Sequence, residues 1–195
     1  MCDVRPFEFD EACALKWRED NPRVADQVHT GDASSEEDLE RAVADAGGAP
    51  FDVIIDDASH INWHQIKTLD RMLPHLAAGG LYFVEDISSS CHGWSANMGQ
   101  YRGENVGGTA DCVTTAHGNE TILQHVFEYQ KHLVGTRGGK EDMPKRRSKK
   151  GKAVKGIGLE PEAEGVEPKA GFLKGVSRVE IHFNMAVLSK EVETA

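Results

Sequence analysis

The stretch from Phe51 to Ile87, FDVIIDDASHINWHQIKTLDRMLPHLAAGGLYFVEDI, restricts the fold more than any other part of the chain. Its apolar run Val53-Ile54-Ile55 stops at Asp56-Asp57, which fits a strand buried on both faces of a parallel sheet. Ile66, Leu69, Leu73 and Leu76 then recur three to four residues apart, the stripe of a helix packed on a core. Gly79-Gly80 suits the left-handed stop of that helix. Leu81-Tyr82-Phe83-Val84 reads as a second buried strand, closed by Glu85-Asp86. A strand–helix–strand unit of this kind has a right-handed connection and brings both strand ends to one edge. Open α/β sheets bind ligands at that edge.

Neighbouring strands lie ~4.8 Å apart, so Asp57, Glu85 and Asp86 are expected to crowd one crevice. Such carboxylates repel and raise each other's pKa unless a cation sits between them. A hard divalent ion, most simply Mg²⁺, is the expected occupant. Adjacent residues of a regular strand point to opposite faces, so Glu85 and Asp86 share an ion only where the strand turns. His60, with an ordinary pKa of ~6.5, is placed to take a proton near neutrality. A bland reading stands beside this one, in which the acids only cap the next helix. The second acidic strand end and the histidine favour chemistry. A rival chemistry uses His60 and His64, four residues apart, as a Zn²⁺ pair with Glu85 or Asp86 in a metallohydrolase.

The flanking sequence extends the alternation. Val4 and the residues around Asp3 read as the end of a strand. Glu8 to Asp20 reads as a helix with Phe9, Cys13 and Trp17 on one face, and Arg23 to Thr30 as a strand. Ser35, followed by Glu36-Glu37-Asp38, predicts a helix from about Ser35 to Ala46. The order is αβαβαβ up to Ile87, an α/β domain. Residues 88–118 are rich in Gly and Ser and are expected to form a long loop, with a substrate lid and an ordinary surface loop evenly weighed. Asn119 to Leu133 predicts a helix with Ile122, Val126, Tyr129 and Leu133 aligned. Residues 138–171 lack apolar periodicity and carry a Lys/Arg run, which predicts a flexible insertion. Nuclear import through 145–152 is the less favoured reading of that run. Val176 to Lys190 is expected to close the fold as a hairpin turning near Asn184, with Ile181, Phe183, Ala186 and Leu188 inward.

The 195 residues suffice for one domain. No run of about 18 apolar residues suggests a membrane span, and no secretory signal is legible at Met1. A net charge of −10 argues against nucleic acid as the main partner. Cys2, Cys13, Cys91 and Cys112 form no CxxC pair and are read as reduced thiols of a cytoplasmic protein, with a disulfide left open because their number is even.

The pattern DD-x-SH, a helix, then GG-x-Y-x-x-ED resembles the metal-dependent sugar O-methyltransferases of the class I S-adenosylmethionine type. VEIHFNMAVLSK is similar to that family's closing hairpin. The resemblance covers about Asp3 to Ile87 and Gly175 to Lys190. It implies a Rossmann-like sheet, largely parallel with a C-terminal antiparallel hairpin, in a single methyltransferase domain over 1–195. It also implies an earlier strand, helix and glycine-rich turn ahead of Asp3. The chain is therefore expected to be a truncated piece of such a domain, with a degenerate remnant or metal-binding scaffold as the alternative. By resemblance Asp57, Glu85 and Asp86 are Mg²⁺ ligands and His60 the general base. Asp3 holds the cofactor ribose, Asp32 and Ala33 border the adenine, and Asp56 is on the cofactor side. Ala33 departs from the polar amide common there. The implied reaction is methyl transfer from S-adenosylmethionine to a hydroxyl of a sugar or glycoside, and a homo-oligomer is compatible with it.

Overall fold

The computed structural model describes residues 3–48, 50–91, 108–115, 118–137 and 175–192. The chain begins with strand β1 (Phe7–Glu8), helix α1 (Glu11–Asp20), a 3-10 turn (Ala25–Gln27), β2 (His29–Thr30) and α2 (Glu36–Asp45). Next come β3 (Phe51–Asp56), α3 (Asn62–Met72), a 3-10 turn (Leu73–His75), β4 (Leu76–Glu85) and a 3-10 turn (Ile87–Ser90). Helix α4 (Ile122–Arg137) and the hairpin β5 (Val176–Ile181) and β6 (Met185–Lys190) complete it.

The main sheet has the order β3-β4-β6-β5. β3 and β4 are parallel, β6 is antiparallel to β4, and β5 is antiparallel to β6. β3, β4 and β5 therefore run one way and only β6 opposes them, the expected parallel sheet with its closing hairpin. β1 and β2 pair in parallel as a separate two-stranded sheet. Side chains from α3, β4, α4 and β6 meet in one core, with Leu69, Tyr82, Val84, Ile122, Val126 and Leu188 almost wholly enclosed.

Local chemistry explains several boundaries. Ser35 accepts a hydrogen bond from the Asp38 N–H at 3.3 Å, and three acids occupy the first turn of α2. That cap and the favourable helix dipole set the start that the sequence predicts. Asp10 caps α1 by accepting from the Ala12 and Cys13 N–H groups, so α1 starts after the expected Glu8. Pro74 lies in the 3-10 turn after α3, and a proline there cannot continue an α-helix.

Several expectations are corrected. Gly79 and Gly80 do not stop α3 but lie inside β4, where the register jumps from Phe51↔Leu76 to Val53↔Leu81. Gly79 takes φ 78 in this bulge, a conformation glycine supplies without steric cost. β3 is not buried on both faces, since Val53 is 51% and Ile55 62% exposed. Val53 and Ile55 share one face, which is left open among the described residues, where β3 is also an edge strand of its sheet. The N-terminal strand is Phe7–Glu8, not the residues around Asp3, and the predicted strand from Arg23 shrinks to His29–Thr30. On α1 the buried residue is Ala14, while Phe9 and Cys13 are exposed. In the closing hairpin Ala186 and Leu188 are buried and Ile181 packs on the core as expected, but Phe183 is fully exposed at the turn.

Cys91 and Cys112 form a disulfide, correcting the expectation of reduced thiols at this pair, and Cys13 is free. Of the segment 88–118, residues 88–91 lie in or just after the 3-10 turn and Gly108 bridges Thr115. Residues 92–107 and 116–117 of that loop, and the insertion 138–171, lie outside the described residues. Among the described residues no helix is long and apolar enough to cross a membrane.

Candidate metal centre

The parallel pairing of β3 with β4 sets Asp56 beside Val84 and so brings both acidic strand ends to one edge. Asp57 follows in the loop. Asp86 leaves β4 with φ 52, and His60, ahead of α3, has φ 55. A non-glycine residue held in this left-handed region costs on the order of 1–3 kcal/mol, and such residues cluster at functional sites. Asp57, His60 and Asp86 each offer a ligand atom within 4.8 Å of the others. His60 Nε2 lies 3.3 Å from Asp86 Oδ2 and 3.8 Å from Asp57 Oδ1.

Amide side chains brace this edge from behind. Asn62 and Gln65, one turn apart on α3, are enclosed. Gln65 Nε2 donates to the Glu85 carbonyl at 2.7 Å, and its Oε1 accepts from Ser89 Oγ at 3.3 Å. Asn62 Nδ2 donates to the Ser89 carbonyl, and its Oδ1 accepts from Ser90 Oγ at 3.0 Å and the Ile122 N–H at 2.9 Å. From the hairpin turn, Asn184 Nδ2 donates to Asp86 Oδ1, while its Oδ1 accepts from the Ser88 N–H at 3.1 Å. Sequence reasoning passed over these residues. The available signal was the pair of amides at helical spacing inside an otherwise apolar unit.

Of the predicted ligands, the structure brings Asp57 and Asp86 together with His60 and leaves Glu85 out of the cluster. The left-handed turn at Asp86 takes its side chain out of strand alternation, so Asp86 joins Asp57 without its neighbour. Asp3 is exposed and accepts from Arg5 and Gln27. Asp32 Oδ1 accepts from the Ser34 N–H, and the Ala33 carbonyl accepts from Thr68 Oγ1 on α3. None of these three belongs to the cluster. His60 and His64 do not share a helical face, because His60 precedes α3. His64 Nδ1 instead meets Ser59 Oγ at 2.8 Å, which removes the expected geometric basis of a zinc pair.

Asp56 is 5% exposed, and its Oδ2 has no hydrogen-bond partner among the described residues. Burial pushes its carboxyl up to about 7, an Ala58 N–H bond opposes this, and the charge of Asp57 adds to the rise. Tyr82, on the neighbouring strand, also has a buried hydroxyl without a partner among the described residues, and burial raises it well above the ordinary phenol value. The chemistry of the donor set fits a hard divalent ion, since two carboxylates and one imidazole converge and none of the three is fully enclosed.

Fold and site together define an α/β protein with an Asp-His-Asp centre at the carboxyl ends of two parallel strands. No family model matches the chain. It is 45% identical over 73 residues to L-olivosyl-oleandolide 3-O-methyltransferase of Streptomyces antibioticus, covering 36% of this chain and 19% of that protein. It is 43% identical over 88 residues to 8-demethyl-8-alpha-L-rhamnosyl tetracenomycin-C 2'-O-methyltransferase of Streptomyces olivaceus, covering 45% and 22%. With mycinamicin VI 2''-O-methyltransferase of Micromonospora griseorubida the identity is 38% over 80 residues, covering 41% and 19%. The expected resemblance to sugar O-methyltransferases is thus borne out over the matched segments, and the chain spans about a fifth of these relatives' length. Among solved structures it is similar to MycE methyltransferase from the mycinamycin biosynthetic pathway, in complex with Mg, SAH and mycinamycin VI. That likeness has TM-score 0.49 at 22% identity and covers 85% of this chain and 32% of the other.

Proposed function

We propose that the chain is part of an S-adenosylmethionine-dependent O-methyltransferase that methylates a hydroxyl of a sugar or glycoside with the help of Mg²⁺. The convergence of Asp57, His60 and Asp86 at one sheet edge carries this reading. The likeness to named sugar O-methyltransferases supplies the substrate class and the methyl donor.

Asp57 and Asp86 would hold the dication, with Glu85 at the adjoining strand end available as a further ligand. Such an ion would supply Lewis-acid polarisation of the acceptor oxygen. His60 accepts the hydroxyl proton at Nε2, and the neighbouring carboxylates stabilise the resulting imidazolium. Asp3 and Asp32 are proposed to hold the cofactor's ribose and adenine, with Ala33 and Asp56 alongside. The remaining demand on the protein is alignment of acceptor and methyl donor.

The test is incubation with S-adenosylmethionine, Mg²⁺ and a panel of glycosides, read by mass spectrometry as the gain of one methyl group. His60→Ala should lower turnover about 100-fold or more while Mg²⁺ affinity stays close to that of the unsubstituted protein. A large loss of metal affinity would instead make His60 a ligand. Metal binding unaffected by Asp57→Asn and Asp86→Asn would overturn the proposal, and binding without turnover would favour a metal-binding scaffold.

A further inference from the structure

We propose that Asn184, on the turn between β5 and β6, is a positioning residue that sets the aim of Asp86 and thereby the cation affinity of the centre. This deepens the metal-site reading given above and rests on it. Asp86 occupies a left-handed conformation, which Asp tolerates better than most residues but which still needs its surroundings to fix it in place. Three bonds from one residue do so. The Asn184 amide nitrogen donates to Asp86 Oδ1, its amide oxygen accepts from the Ser88 N–H, and its carbonyl accepts from the Ile87 N–H at 3.3 Å.

Gln65, on α3, fixes the preceding carbonyl, that of Glu85. The strand end is gripped on both flanks of Asp86, which leaves Oδ2 directed to His60 Nε2. One carboxylate oxygen is thus engaged by Asn184 and the other faces the centre. Hydrogen bonds of this kind orient a ligand before the ion arrives, and their loss typically lowers metal affinity about 10- to 100-fold.

The experiment titrates the full chain with Mn²⁺ and follows the free ion by electron paramagnetic resonance. Asn184→Ala is expected to weaken binding at least about 10-fold, while Phe183→Ala, at the exposed neighbouring position, leaves it unchanged. Thermal unfolding is measured alongside to separate aim from folding. Asn184→Ser, which like alanine keeps the main-chain bond to Ile87, is the second variant should the alanine one not fold, and it too should weaken Mn²⁺ binding at least about 10-fold. Unchanged affinity in a folded Asn184 variant overturns the role of Asn184 and leaves the metal site standing. No Mn²⁺ binding by the unsubstituted chain overturns the metal site itself, and this inference with it.

Discussion

His125 shows how single contacts can set the pH response of this molecule. It sits on α4 between two carboxylates, with Nε2 2.9 Å from Asp70 and Nδ1 3.1 Å from Glu120. Burial pulls the imidazole down, but hydrogen bonds to Asp70 and Glu120 outweigh it and hold the group up to about 9. The Tyr129 hydroxyl donates to the same Asp70 oxygen. Because the folded value lies above the ordinary 6.5, this contribution is complete below about pH 6.5 and is lost as pH rises through about 9. It amounts to at most about 3 kcal/mol. The stability gap between the unsubstituted chain and His125→Gln, measured by urea unfolding, should shrink steadily from pH 6 to pH 10. Asp56 works in the other direction. Its folded carboxyl lies above its unfolded value, so its destabilising effect is absent below about pH 4 and complete above about pH 7. Without added metal, Asp56→Asn should raise the melting temperature at pH 8 and leave it nearly unchanged at pH 4.

At the scale of elements, α3 has an unusual composition for a buried helix. Asn62, Gln65 and Thr68 are enclosed along one face, where an apolar stripe is the usual pattern. Asn62 alone serves the Ser89 carbonyl, the Ser90 hydroxyl and the Ile122 N–H. Asn62→Ala should therefore destabilise the protein by at least about 2 kcal/mol, since a buried group stripped of its partner costs about 1–3 kcal/mol. Denaturant titration checks this. The periodic segments were legible because they bury one face. The capped start of α2, the stripe of α4 and the buried Ala186 and Leu188 all follow from composition and spacing. Asp57, His60 and Asp86 were legible because strand ends meet at a known edge of such sheets. Asn184 was not, since it lies about a hundred positions from Asp86 and only the β4–β6 pairing brings them together. That Glu85 stands outside the cluster was not legible, because the left-handed turn at Asp86, which separates the two acids, has no signature in the residue string.

For the whole molecule, the bond between Cys91 and Cys112 ties the end of the β4 edge to the segment leading into α4. Thr121 Oγ1 donates to the Cys112 carbonyl and accepts from the Gln124 N–H, so the bridge also anchors the start of that helix. A loop of this length, 21 residues apart in sequence, restricts the unfolded chain by about 3 kcal/mol in the entropy picture. Reduction with a phosphine should lower the melting temperature of the unsubstituted chain and leave Cys91→Ser unaffected. The bare flank of β3 has a different consequence. Among the described residues no strand pairs with it on that side, and Val53 and Ile55 are exposed on one of its faces. An open, apolar strand margin invites other chains to stack upon it, so concentrated solutions should clump through this margin, and Ile55→Lys should keep them clear.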